Sequence, residues 1–265
     1  MSENALLHVN NLSVVKADRT LLNNIRGTFA PGEFVAIIGE NGCGKSSLLS
    51  ELSGADANAS SKVHFHGRPL QHYRMSELAN FRAVMQQTPT TPFGFLSAEV
   101  LELARNQITE SPAQRQSCIE LVAKWFEISH LLTRNIQSLS GGECQRVFLA
   151  KTVLQILPSA QIRQQELNGR VLLLDEPTSA LDLRHQKIVM QTLVRLCQAG
   201  LCILCVSHDI NLITPYASRM MILGEKRCLA DASPAEALNQ DVLRRCFHTQ
   251  LQLLKNEHQT VFVTH

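Results

Sequence analysis

The stretch "GENGCGKSS", Gly39 to Ser47, gathers glycines, a lysine and hydroxyls between an apolar run and a helical pattern. It fits the spacing G-x-x-x-x-G-K-[ST] in the context that spacing requires, a strand before and a helix after. Gly39, Gly42 and Gly44 let backbone N–H groups turn inward around phosphate oxygens where side chains would clash. The helix that follows adds its positive end. Lys45 is placed to reach the outer phosphates of a nucleotide, and Ser46 to ligate Mg²⁺. A second acidic element lies far along the chain, where "RVLLLDEP" puts Asp175 and Glu176 at the end of an apolar run. A buried carboxylate is costly unless it is paired or binds a metal. Asp175 is therefore expected to hold the Mg²⁺ through water, and Glu176 to polarise the attacking water.

These residues need a scaffold, and the hydrophobic pattern supplies one. "FVAIIG" (34–39), "RVLLLDEP" (170–177) and "LCILCVSHD" (201–209) are short apolar runs, read as buried strands, each ending in glycine, acidic or polar residues. Strands alternating with helices predict a parallel sheet covered on both faces, with the site at the strand ends. The first thirty residues read instead as antiparallel strands. From about 97 to 157 the pattern is almost wholly helical, as in "SAEVLELARNQ" and "RQSCIELVAKWFEI", and reads as an insertion. "LPSAQIRQQELNG" (157–169) is a polar loop, and "LQLLKNEHQTVFVT" reads as a hairpin turned at Lys255–His258. No internal repeat or low-complexity tract interrupts the order.

Composition narrows the classes. With 265 residues, 45 % of them apolar, the chain can bury a core, and a net charge of +2 with mixed signs gives no footprint for nucleic acid. The N-terminal "MSENALLHVNNLSVVK" lacks a signal-peptide core, and no window approaches the ~20 apolar residues of a membrane span. The chain is expected in the cytosol, meeting a membrane only through a partner. Of the eight cysteines, Cys202 and Cys205 form a C-x-x-C, but inside an apolar strand pattern they read as small buried thiols.

"LSGGECQR" (139–146) opens a helix with a further anion cradle, Ser140 beside free N–H groups. The ordered set of glycine loop, glutamine, LSGGE, strand-DE and histidine, spanning about residues 6 to 247, resembles the nucleotide-binding subunit of an ABC transporter. That resemblance implies an α/β P-loop NTPase with a RecA-like, mostly parallel core, an N-terminal antiparallel β subdomain and an inserted α-helical subdomain. It implies one ATPase domain over 1–265, with the helical subdomain at about 90–157 and a C-terminal extension at about 232–265. By resemblance, Gly39, Glu40, Asn41, Gly42, Cys43, Gly44, Lys45, Ser46 and Ser47 form the Walker A loop. Gln87, with Gln86 as competitor, is the Q-loop glutamine and a further Mg²⁺ contact. Ser140, Gly141, Gly142 and Glu143 form the signature, Asp175 and Glu176 the Walker B pair, Asp182 the D-loop and His208 the switch histidine.

The family implies that ATP and Mg²⁺ are bound between two copies facing head to tail. Each ATP is held by one copy's Walker loop and the other's LSGGE. Lys45, Gln87 and His208 then cage the γ-phosphate from one side, and Ser140 and Gly142 from the other. Two departures stand out. The place of the usual adenine-stacking aromatic holds Val15 or Lys16, so the Lys16 stem is the candidate to cover the ring. Cys43 stands where alanine is common, and its position beside a helix N-terminus favours thiolate.

Fused membrane helices, long coiled coils and a second copy of the motif set are absent from the sequence, which points to an importer subunit. "RPLQHYRMSELANFRAVMQQ" and "LLLDEPTSALDLRHQ" are most similar to the iron-complex and vitamin B12 group. "SELANFRAVM" with "DLRHQ" leans towards haemin import, while "MQQTPTTPF" and "LCQAGLCILCVSHDIN" lean towards cobalamin. Haemin is the expected cargo, with cobalamin or a ferric siderophore as the alternative and a non-transport regulatory ATPase as the alternative of another class. The implied partners are two membrane-spanning permease subunits, docked between Gln87 and the helices of 97–135, and indirectly a substrate-binding protein. The implied location is the cytoplasmic face of the inner membrane.

Overall fold

A computed structural model describes residues 5–55, 62–86, 94–159 and 166–248, together with the strand backbone of 251–255 and 260–264. In chain order the first elements are β1 (Leu7–Lys16), β2 (Arg19–Phe29), β3 (Phe34–Gly39), α1 (Lys45–Ser53), β4 (Val63–Phe65) and β5 (Arg68–Pro69). There follow α2 (Met75–Leu78), β6 (Arg82–Met85), α3 (Ser97–Leu103), α4 (Pro112–Trp125), α5 (Gly141–Ile156), β7 (Val171–Asp175) and α6 (Leu183–Gln198). The last are β8 (Cys202–Val206), α7 (Ile210–Ile213), β9 (Arg219–Gly224), β10 (Arg227–Ala232), α8 (Pro234–Ala237), α9 (Gln240–Phe247), β11 (Leu251–Lys255) and β12 (Thr260–Thr264). No helix among the described residues is long and apolar enough to cross a membrane.

The chain divides into two units, Met1–His72 with Leu204–His265, and Tyr73–Ile203. In the first, β1 alternates buried and exposed residues, as a strand with one solvated face must. It pairs antiparallel with β2 on one side and β4 on the other, giving the sheet β2-β1-β4-β5. Every residue of β3 is buried, the mark of a strand covered on both faces. It runs parallel to β9, with Gly39 opposite Leu223, and β9 is edged by antiparallel β10. On its other side the Ser207 N–H, just past β8, donates to the Ile37 carbonyl at 3.2 Å. The expected hairpin is present as β11 and β12, Lys255 opposite Thr260; its turn lies outside the described residues.

In the second unit β6 and β7 pair in parallel, Arg82 opposite Val171 through Met85 opposite Leu174. The helices beside them carry strong start signals. Ser111 caps α4 with Pro112 in its first turn, and Ser140 caps α5. The helix expected over 97–107 stops at Leu103. The chain turns there, the Arg105 N–H donating to Glu102 O at 2.9 Å, and the Arg105 side chain goes wholly into the interior. The C-x-x-C thiols of Cys202 and Cys205 are buried in β8, and an odd spacing in a strand sends the two to opposite faces.

Candidate functional site

In the first unit the loop after β3 has the backbone that phosphate binding needs. A Cβ on Gly39 would stand 2.7 Å from the Leu223 carbonyl oxygen and from the Cys43 Sγ, so no larger residue fits between β9 and the loop. Gly44 has φ +107° and no side chain caps α1, which leaves the first-turn N–H groups to an anion. Lys45 is buried, its Nζ donating to Gly39 O at 2.8 Å and Glu40 O at 2.9 Å, so the ammonium is held by the loop itself. Asn41 and Ser46 are exposed, Glu40 and Ser47 half-buried. The cradle therefore fits a polyphosphate.

The thiolate expected at Cys43 is corrected by the structure. Burial pushes this thiol up, and the nearby Lys45 charge offsets only part of that rise. The helix end is a local effect, whereas the cover over Cys43 comes from distant chain. Part of this environment is α9, which nothing local in the chain connects with the loop. Its Cys246 thiol donates to Leu223 O at 3.3 Å and is pushed up to about 12, chiefly by burial. Just beyond α9, His248 Nε2 lies 3.8 Å from the Glu40 carboxylate. A maleimide is expected to inhibit ATPase activity through Cys43 slowly at neutral pH and faster as pH rises, with ATP protecting. Equal inhibition of a Cys43→Ala variant would contradict this.

His208 is exposed immediately after Ser207, whose bond to Ile37 sets it beside the β3 end from which the loop departs. Lys16 is exposed at the tip of the β1–β2 hairpin, opposite Arg19. The same hairpin lines the loop, since a Cβ on Gly44 would lie 3.1 Å from Leu21 Cβ.

In the second unit Asp175 is 6 % exposed at the end of β7, and Glu176 follows half-buried. Ser140 accepts from the Glu143 N–H at 3.3 Å, while Glu143 accepts from both the Ser140 N–H and hydroxyl at 2.8 Å, a closed capping box. Those Ser140 bonds, the backbone one first, hold the Glu143 carboxyl below the usual range. Arg134 adds a charge at 3.5 Å. Ser140→Ala is expected to cost about 1 kcal/mol of stability through the lost cap. A urea titration of the whole chain reads this as a lower midpoint; an unmoved midpoint would contradict it.

Asp182 caps α6, accepting from the His185 N–H at 2.8 Å, and this bond with the imidazole contact keeps its carboxyl low. Gly142 leans on the stretch just before Asp182, where a Cβ would stand 2.9 Å from Ala180 O. Ser140, Gly142, Asp182, Lys124, His130 and Arg146 line a cavity of about 1010 Å³. Gln87 lies outside the described residues; Gln86 is exposed directly after β6.

Residues 22–179 match the ABC transporter family model. The chain is 36 % identical over 252 residues to the hemin import ATP-binding protein HmuV of Myxococcus xanthus, covering 94 % of this chain and 92 % of that one. It is 35 % identical over 244 residues to the HmuV of Vibrio vulnificus strain YJ016, covering 92 % and 90 %. Among solved structures, a metal-chelate type ABC transporter in an inward-facing conformation superposes with a TM-score of 0.77 at 24 % identity, covering 98 % of each chain. CbiO1 of Clostridium perfringens superposes at 0.73 with 25 % identity, over 92 % and 94 %. By this match and these relatives the chain belongs to the ABC transporter ATP-binding family and is an ATPase.

Proposed function

We propose that this chain powers import of haemin across the inner membrane. The observation that carries this reading is the identity of 34–36 % with hemin import ATP-binding proteins from several bacteria, over about nine-tenths of the chain. Two copies face head to tail on the cytoplasmic side, held there by two permease subunits and served by a substrate-binding protein. The chain takes no nucleic acid partner.

In this reading the N–H groups of the loop 39–47 take the phosphate oxygens of ATP, and Lys45 exchanges its two carbonyl partners for them. The hydroxyl of Ser46 and the carboxylate of Asp175, with Gln87, are hard oxygen donors that suit Mg²⁺. The metal ion when bound neutralises phosphate charge. Glu176 accepts a hydrogen bond from the water and aims its oxygen at the γ-phosphorus, opposite the bond to ADP that breaks. His208, and Ser140 with Gly142 from the second copy, complete the cage around the γ-phosphate. Most of the rate enhancement then comes from positioning and charge neutralisation. Lys16 covers the adenine with its methylene stem.

The test is genetic. A strain lacking this chain should fail to grow on haemin as its only iron source, with growth restored by the wild-type chain and not by Lys45→Ala. Undiminished growth on haemin in that strain would overturn the cargo.

A further inference from the structure

Gln145, one turn into the signature helix α5, is 6 % exposed and directs all its polar atoms at one short segment. Its Nε2 donates to the Glu176 carbonyl at 3.0 Å and to the Ser179 hydroxyl at 3.2 Å. Its Oε1 accepts from the Ala180 N–H at 2.9 Å. A main-chain carbonyl only accepts and a main-chain N–H only donates, so the carboxamide satisfies both ends in one orientation alone.

The gripped segment is strained where it matters. Glu176 has φ +50°, in the left-handed region that non-glycine residues avoid. Its carbonyl also accepts from the Ser179 hydroxyl at 3.1 Å and the Ser179 N–H at 3.3 Å. A conformation of this kind persists when its surroundings over-determine it. The other end of the segment rests on the signature itself through the close approach of Gly142 to Ala180 O.

We infer that Gln145 is a positioning residue for Glu176, fixing its left-handed backbone from the signature helix. The carboxylate then points correctly only while Ser140–Glu143 and residues 176–180 keep their register. A change at the signature is thereby felt at the residue that acts on water. The inference rests on the reading of Glu176 given above.

The test is a double-substitution cycle on the full-length chain, reading steady-state ATP turnover. Gln145→Glu keeps the shape but turns a carboxylate oxygen, in place of the donor, towards the Glu176 carbonyl; Gln145→Ala removes all three contacts. Each is expected to lower kcat by about 10-fold to 100-fold, as misaimed catalytic groups do. KM for ATP should stay within about twofold, since the loss falls on the transition state. In a Glu176→Gln background the same changes should leave the residual rate unaltered, because there is no carboxylate left to aim. Equal fractional losses in both backgrounds, or wild-type kcat in both Gln145 variants, would overturn the inference. Should Gln145→Ala fail to fold, the isosteric Gln145→Glu carries the same comparison. Wild-type turnover by Glu176→Gln alone would instead overturn the role of Glu176, and the inference with it, and that result is read without any change at 145.

Discussion

Replacing Glu176 by glutamine is expected to slow ATP turnover by about 10²-fold to 10⁴-fold while leaving ATP bound, the range lost when a positioned general base is removed. The amide keeps the size of the side chain and the strained backbone beneath it, so binding should survive. It cannot take up a proton or draw density from the water's O–H bond, so the attacking oxygen stays a poor nucleophile. The phosphate loop lies in a separate stretch of chain and keeps its Lys45 and glycine cradle. The variant should therefore retain nucleotide through gel filtration and elute as a dimer in ATP. Hydrolysis at the wild-type rate would contradict the assignment.

The largest expected effect on stability lies in a buried ion pair of the second unit. The side chains of Arg105 and Glu110 are both shut off from solvent and paired through two bonds, Nε to Oε1 at 3.0 Å and Nη2 to Oε2. Arg105 Nη1 also donates to the Leu154 and Leu157 carbonyls at 2.8 and 2.7 Å, satisfying the end of α5. Glu110 is further held by the Ser159 hydroxyl at 2.7 Å and by Arg115 at 3.4 Å. Arg105→Leu strands a buried carboxylate and helix-end carbonyls together. The expected loss is about 3–5 kcal/mol, the cost of breaking a buried pair by removing one partner.

The same pair sets a pH dependence. The Arg105 hydrogen bonds hold the Glu110 carboxyl below its ordinary value. A group depressed in the folded state adds stability above its unfolded value and loses it as pH falls through the folded one. Stability should thus fall below the ordinary carboxylate range, and Glu110→Gln should flatten that slope. Urea midpoints measured across acid pH give both results. An Arg105→Leu midpoint equal to wild type, or an unchanged acid slope in Glu110→Gln, would contradict the account.

Much of the fold was legible where strands are buried on both faces and where helices carry a clear period or cap. β3, β7 and β8 read directly from unbroken apolar runs, α4 from the helical pattern of "RQSCIELVAKWFEI" and α5 from Ser140. What escaped the sequence depends on distant chain. The three-residue β4 exists because Val63 and Phe65 pair with Val9 and Leu7, and nothing local predicts it. Arg105 in "LELARNQ" and Gln145 in "GGECQR" look like solvated helix residues until their partners, five to fifty-two positions away, are known. Cys43 departs from expectation for the same reason, since a helix end is visible in sequence and burial is not.

We propose that ATP hydrolysis by this chain is coupled to haemin import. The direct test is ATP turnover by the chain reconstituted with its permease in liposomes, with the binding protein loaded with haemin, cobalamin or a ferric siderophore. Stimulation by the haemin-loaded protein, and not by the other two, is the expected result. Turnover indifferent to haemin, or raised by cobalamin alone, would contradict it.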